Sequence, residues 1–225
     1  MKIVIPAAGK GTRLKELTEN IPKPLIKVHD KPIIGHIIDS FDQLDYNEII
    51  IIIGYRGEDI RNYVSETYPE KNIRFIWQES QLGLGHAIYQ AKDHLNEPFI
   101  IFLSDIYVEI DYTNEWYEQY KQYSAAIGTF QVENTEKYGI LIDNKIIEKP
   151  MLDPTGQNMA VVGLYIINDY RRFLQLIGHK VDNIVVTSEI NVNYAFNNMF
   201  NLKYFPVTSW CDFGDYDVIK RFIYD

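Results

Sequence analysis

The hydrophobic pattern changes character near residue 110. Before that point, short apolar runs at Lys2 to Pro6, Ile49 to Ile53, Ile73 to Trp77 and Phe99 to Leu103 alternate with helical stretches at Ile33 to Leu44, Glu58 to Tyr68 and Leu84 to Leu95. The Ile49 and Phe99 runs are apolar at every position, not at every second one, which requires burial on both faces. A parallel sheet covered by helices is therefore predicted, with its site at the C-terminal ends of the strands. Gly9, Gly54 and Asp105 all stand at such ends.

Beyond residue 110 the chain reads as strands at Ala125 to Val132, Gly139 to Ile142, Lys145 to Glu148, Met159 to Ile167 and Leu202 to Val207. Helices are expected near Tyr170 to Ile177, at Glu189 to Asn197 and from Tyr216 onward. Asp143-Asn144 between two apolar runs predicts a tight hairpin turn. These strands should extend the first sheet into a mixed one and carry a second lobe. No linker, internal repeat or low-complexity tract divides the 225 residues, so two lobes of one unit are expected, large enough to bury a core and hold a cleft.

Charge sharpens the search for chemistry. Asp and Glu outnumber Lys and Arg by 31 to 22, a formal net charge of −9. A nucleic-acid surface needs a basic face, so no nucleic-acid partner is expected and local positive charge is better assigned to a small anion. The first such cluster follows the first strand, where Ala7-Ala8-Gly9-Lys10-Gly11-Thr12-Arg13-Leu14 is succeeded by Pro22-Lys23-Pro24. Small residues let backbone N–H groups approach a phosphate, and Arg13 and Lys23 add fixed charge beside it. A dinucleotide fingerprint would need glycine where Leu14 stands, and a Walker loop would need Ser or Thr where Gly11 follows Lys10. Cys211 is the single cysteine, so no intramolecular disulfide forms, and no Cys/His cluster has zinc spacing. With no signal-peptide layout and no apolar stretch of membrane-spanning length, a cytoplasmic protein without a membrane partner is expected.

Asp105 closes the Phe99 strand, where its carboxylate would emerge over the sheet edge. That is either a turn aspartate or a Mg²⁺ ligand, since Mg²⁺ takes one or two protein carboxylates with phosphate oxygens and water. Asp212, in Trp210-Cys211-Asp212-Phe213-Gly214, could supply the partner carboxylate.

The opening Gly-x-Gly-Thr-Arg-Leu with Lys23-Pro24 beyond it resembles the signature of the sugar-phosphate nucleotidyltransferases, the pyrophosphorylases that make nucleotide sugars. Trp-x-Asp-x-Gly at Asp212 is similar to the family's second metal motif. Gln78 followed by Gly83-Leu84-Gly85-His86-Ala87 looks like its base-recognition segment, with wording nearest to uridylyltransferases that act on glucose 1-phosphate. His86 by itself reads as a packing or capping residue rather than a catalyst. Tyr138-Gly139, Glu148-Lys149-Pro150, Ala160 to Tyr165 and Ser188 to Asn193 resemble the sugar-side elements of hexose 1-phosphate thymidylyl- and uridylyltransferases.

The resemblance runs over the whole chain and implies a Rossmann-like three-layer αβα sandwich, with a mainly parallel mixed sheet and a small sugar-binding lobe. It implies one catalytic domain over 1–225, with a nucleotide-binding half at 1–111 and a sugar-phosphate-binding half at 112–225. Ala7, Ala8, Gly9, Gly11, Thr12, Gln78 and Gly83 would hold a nucleoside triphosphate, UTP or dTTP. Tyr138, Gly139, Glu148, Lys149, Val162 and Glu189 would hold a sugar 1-phosphate, and Asp105 and Asp212 would hold Mg²⁺. Arg13 would steady the departing pyrophosphate, Lys23 the α-phosphate and Lys149 the incoming phosphate, in a Mg-dependent reaction supplying nucleotide sugars for polysaccharide synthesis. The family usually has Thr-Asp where Asn191-Val192 stand; loss of an acid there would alter the sugar pocket. Ser104 and Asp215 are smaller departures, from glycine or alanine and from threonine. The single helix after Asp212 leaves no room for an acyltransferase or regulatory repeat, so a monomer or homodimer is expected. Two other readings stay open: cytidylyl transfer to a small phosphorylated alcohol such as phosphocholine, and a non-catalytic nucleotide-sugar sensor. A glycosyltransferase would place an Asp-x-Asp motif where Asp105-Ile106-Tyr107 stands.

Overall fold

The computed structural model describes residues 1–11, 14, 18–183 and 189–223. Strands β1 (Lys2–Ala7), β4 (Glu48–Ile53), β5 (Ile73–Trp77) and β6 (Phe99–Phe102) form a parallel block, with β6 and β4 on either side of β1 and β5 outside β4. Each isoleucine of β4 is fully buried, because alternate residues enter different layers. Ile49, Ile51 and Ile53 join the core beneath α1 (Ile33–Ser40) and α2 (Gly57–Thr67), while Ile50 and Ile52 join the opposite core beneath α3 (Leu84–Gln90) and α5 (Tyr170–Asp182). Burial of one such side chain contributes roughly 1.5–3 kcal/mol, so the unbroken apolar run anchors both layers at once.

The second half continues this sheet. β11 (Met159–Ile167) lies antiparallel to β6, and β8 (Ala125–Gln131), β12 (Leu202–Pro206) and the hairpin β9 (Gly139–Ile142) with β10 (Lys145–Glu148) complete nine strands. The hairpin turns at Asp143 and Asn144 with φ of 49° and 60°, the left-handed pair a two-residue turn demands. β11 shifts register against β8 between Val161 and Tyr165, and Gly163 sits in that bulge with φ 88°. A Cβ at Gly163 would come 2.7 Å from the Leu103 side chain, so only glycine lets β11 pass the end of β6 here.

Several elements differ from the sequence expectation. The helix expected over Glu189 to Asn197 is only α6 (Asn193–Phe196), because the Ile190 N–H and C=O are consumed by Leu82 and Gly85. α1 stops at Ser40, α3 gives way to a 3-10 turn at Lys92–His94, and α5 continues to Asp182. Unforeseen elements are the short hairpin β2 (Lys27–Val28) with β3 (Lys31–Pro32), helix α4 (Asn114–Glu118), and the antiparallel pairing of β7 (Ile106–Val108) with β13 (Trp210–Asp212). That last ribbon leads into α7 (Tyr216–Ile223). Among the described residues no helix is long and apolar enough to cross a membrane.

Candidate active site

The C-terminal ends of β1, β5 and β6 meet around a cleft of about 430 Å³ lined by Ala8, Gly9, Gly11, Lys23, Gln78, Gly83 and Asp105. The Ala8 carbonyl accepts from the Tyr55 N–H at 3.1 Å and from Gln81 Nε2 at 2.9 Å, which pins the loop after β1 to its neighbours. Gln81 was not anticipated; it lies between Gln78 and Gly83 in no motif. Ser104 Oγ donates to the Pro6 carbonyl at 2.7 Å, so this departure from a smaller residue ties the end of β6 to that of β1. Ala7, expected to meet the nucleotide through its backbone, buries its side chain in the core and does not itself line this cleft. Thr12 and Arg13 lie outside the described residues, as does Ser188.

Lys23 enters the cleft from a 3-10 turn at Lys23–Leu25, set by Pro22 and Pro24. Its residue is 6% exposed, and Nζ donates to Asp105 Oδ2 at 2.7 Å. A buried ammonium is tolerated only with such a partner. Asp105 lies at the foot of the β7–β13 ribbon, where its carbonyl accepts from the Phe213 N–H at 2.9 Å and Asp212 stands opposite Ile106. The Asp212 Oδ1 accepts from the Gly214 N–H at 2.6 Å. Strand pairing thus joins two aspartates more than a hundred positions apart, and both line a second hollow. Hard carboxylate oxygens in that number suit Mg²⁺ completed by substrate oxygens and water. Among the described residues no group of three or more His, Cys, Asp and Glu could hold a metal without such completion.

The second hollow, about 240 Å³, adjoins the first; Leu84, Leu103, Asp105 and Glu189 line both. Tyr138, Gly139, Glu148, Lys149 and Val162, all expected on the sugar side, line it together with Glu189. Glu148 pairs with Gly139 across the hairpin, and Lys149 follows at φ 46°, its N–H donating to the Tyr138 carbonyl at 2.9 Å. Glu148 Oε2 accepts from Asn191 Nδ2 at 3.0 Å and Asn193 Nδ2 at 2.9 Å. These two amides restrain the carboxylate at Oε2. Val192 turns away into the core at 1% exposure, so the expected loss of an acid from the pocket does not occur at Val192; Asn191 occupies the hollow instead.

Trp210 stacks edge-on against Tyr138, ring centroids 4.9 Å apart, walling the hollow beside Asp212. The Asp215 departure has a partner: its carboxylate takes Lys137 Nζ at 2.6 Å and caps the Asp217 N–H at 3.0 Å. The Lys137 ammonium holds the Asp215 carboxyl below the usual range, and Asp215 in turn raises Lys137.

The profile of the nucleotidyl transferase family matches residues 2–222. The chain belongs to this family. Among curated relatives, the bifunctional protein GlmU of Methanococcus vannielii is 35% identical over 180 residues, which cover 76% of this chain and 41% of that protein. The UTP–glucose-1-phosphate uridylyltransferase AglF of Haloferax volcanii is 32% identical over 176 residues, covering 73% and 71%. The chain spans less than half the length of the GlmU relative it matches. Its fold is that of a Bacillus anthracis protein described as a glucose-1-phosphate thymidylyltransferase, in complex with a sucrose: TM-score 0.84 at 22% identity, over 99% of this chain and 94% of that one. The mainly parallel, Rossmann-like sheet expected from the sequence is thereby borne out in a nucleotidyl transferase.

Proposed function

We propose that the protein condenses a nucleoside triphosphate, UTP or dTTP, with a sugar 1-phosphate, glucose 1-phosphate or a related hexose, giving a nucleotide sugar and pyrophosphate. The observation that carries this reading is the junction of two hollows at Asp105, one floored by a glycine loop and a buried lysine, the other walled by hydroxyl-accepting carboxylates. The activity for which the AglF relative is named agrees with it. A phosphate oxygen of the sugar attacks the α-phosphorus, and the bond from that phosphorus to the β-bridging oxygen breaks. The electron pair leaves on pyrophosphate, and no general base is required, because the nucleophile is already an anion.

The chain's task is then alignment and charge neutralisation. Backbone N–H groups from Ala8 to Gly11 and the Gln78–Gly83 segment seat the nucleotide within residues 1–111. Lys23 meets the α-phosphate, and the motif assigns the departing pyrophosphate to Arg13. From residues 112–225, Lys149 meets the sugar phosphate, and Glu148 and Glu189 accept from sugar hydroxyls. Mg²⁺ held by Asp105 and Asp212 would supply charge that lets two anions approach. The working protein is proposed to be cytoplasmic, a monomer or homodimer. Cytidylyl transfer to phosphocholine fits less well, since Glu148, Asn191 and Asn193 build a pocket for a polyhydroxylated partner.

A matrix of nucleoside triphosphates against sugar 1-phosphates and phosphocholine, scored by pyrophosphate released with Mg²⁺ present, tests the proposal. Release only with UTP or dTTP and a hexose 1-phosphate is expected. Release with CTP and phosphocholine, or none with any pair, would overturn it.

A further inference from the structure

Gln78 directly follows β5 at 5% exposure, and its amide orientation is fixed by what surrounds it. A carbonyl oxygen only accepts, so the group 3.3 Å from the Gly83 oxygen must be the Gln78 Nε2 amine. The same Nε2 stands 3.0 Å from His86 Nδ1. With its two hydrogens directed at Gly83 and His86, the amine has none for a ligand, and Oε1 is what Gln78 offers to the cleft it lines. Gly83 cannot yield: it has φ 93°, and a Cβ there would lie 2.7 Å from the Ile190 carbonyl oxygen.

His86 Nδ1 accepts only while the ring is neutral and carries its proton on Nε2. Burial favours this form, holding the imidazole below its ordinary pKa against the opposing pull of the Ser80 carbonyl. The Nε2 proton faces the Gln90 side-chain amide 3.0 Å away, an exposed group able to rotate and present its oxygen.

We infer that His86 is a positioning residue for base selection: by accepting from Gln78 Nε2 it holds Oε1 toward the cleft, favouring a ring N–H donor, uracil or thymine, over cytosine, whose N3 is an acceptor. This rests on the cleft being the nucleotide site proposed above. Cytosine would require the amide reversed, which sets Oε1 against both the Gly83 oxygen and the Nδ1 lone pair. Discrimination that leaves buried polar groups unpaired is steep, whereas a packing contact discriminates weakly.

The test is equilibrium binding of UTP and CTP, with turnover on a hexose 1-phosphate alongside, for the wild-type chain, His86→Leu and His86→Asn. The wild type should prefer UTP by about 100-fold or more. His86→Leu removes the acceptor, and the preference should fall about tenfold or more, through weaker UTP and tighter CTP binding, with kcat on saturating UTP within about threefold. His86→Asn places Oδ1 where Nδ1 stood and should restore the preference, which a space-filling role for His86 does not predict. An unchanged UTP:CTP ratio in His86→Leu, or equal use of both by the wild type, overturns the inference. If His86→Leu does not fold, N3-methyluridine triphosphate on the wild type decides: it should bind at least tenfold more weakly than UTP, and undiminished binding overturns the inference. A His86-dependent preference for UTP in a chain that releases no pyrophosphate would defeat the proposed reaction while leaving the base-selection inference standing.

Discussion

The two hollows are built by different means. The proposed nucleotide side is made of strand ends and backbone, with one buried lysine held by Asp105, and its shape follows from the parallel block itself. The proposed sugar side is made of side chains that hold one another, Glu148 restrained by amides 43 and 45 residues further along the chain. A backbone-lined cleft suits the invariant part of a reaction, the triphosphate. A pocket of restrained side chains can be retuned by single substitutions, so substrate variety should reside there.

Variants break this contrast in graded steps. The largest effect is expected where the hollows meet. Asp212→Asn keeps the oxygen that caps the Gly214 N–H but removes the charge; kcat should fall about 10³-fold while Tm moves by less than about 4 °C. Steady-state kinetics and a melting curve on the same preparation check it, and near-normal turnover would remove Asp212 from the reaction. Next is Lys23→Met, similar in bulk, which removes the cation proposed for the α-phosphate and the ammonium that pairs with Asp105. A loss of about 10² in kcat is expected.

Glu148→Gln should separate the sides. The KM for the sugar 1-phosphate is expected to rise about 10- to 50-fold with the triphosphate KM unchanged, and a parallel rise in both would show that the hollows are not independent. Asn191→Ala should act in the same direction but by less than about tenfold, because Asn193 still holds Oε2.

The smallest effect is on stability. Burial keeps folded His86 below the ordinary imidazole value of 6.5, so the unfolded chain takes up a proton first as pH falls. Its contribution is therefore full above pH 6.5 and is lost as the solution is acidified below it. The wild type should lose slightly more Tm than His86→Asn between about pH 7 and pH 5, and identical slopes would show that the ring is not held neutral.

Local signals made the nucleotide side legible. β4, apolar at every position from Ile49 to Ile53, could only be a strand with two buried faces, and Asp143-Asn144 could only be a tight turn. What stayed hidden depends on distant pairing. Three-residue strands such as β7 and β13 carry too little alternation to be recognised, and their register, which sets Asp212 beside Asp105, spans most of the second half. The helix expected from Glu189 fails because Leu82 and Gly85 claim the Ile190 backbone, a tertiary demand that overrides a helical pattern. Val192 misled for a related reason: reading it as a pocket residue assumed that every position of the segment faces substrate, whereas this one joins Ala195 and Phe196 in the core.

The central claim is that two substrates meet at Asp105 and Asp212 and exchange a nucleotidyl group. Phosphorus NMR of the protein with UTP, glucose 1-phosphate and Mg²⁺ observes that exchange directly. The account predicts nucleotide-sugar diphosphate and pyrophosphate appearing in equal amounts, only when both substrates are present, and absent with Asp212→Asn on the same timescale. Pyrophosphate without nucleotide sugar, or a spectrum that does not change, would contradict it.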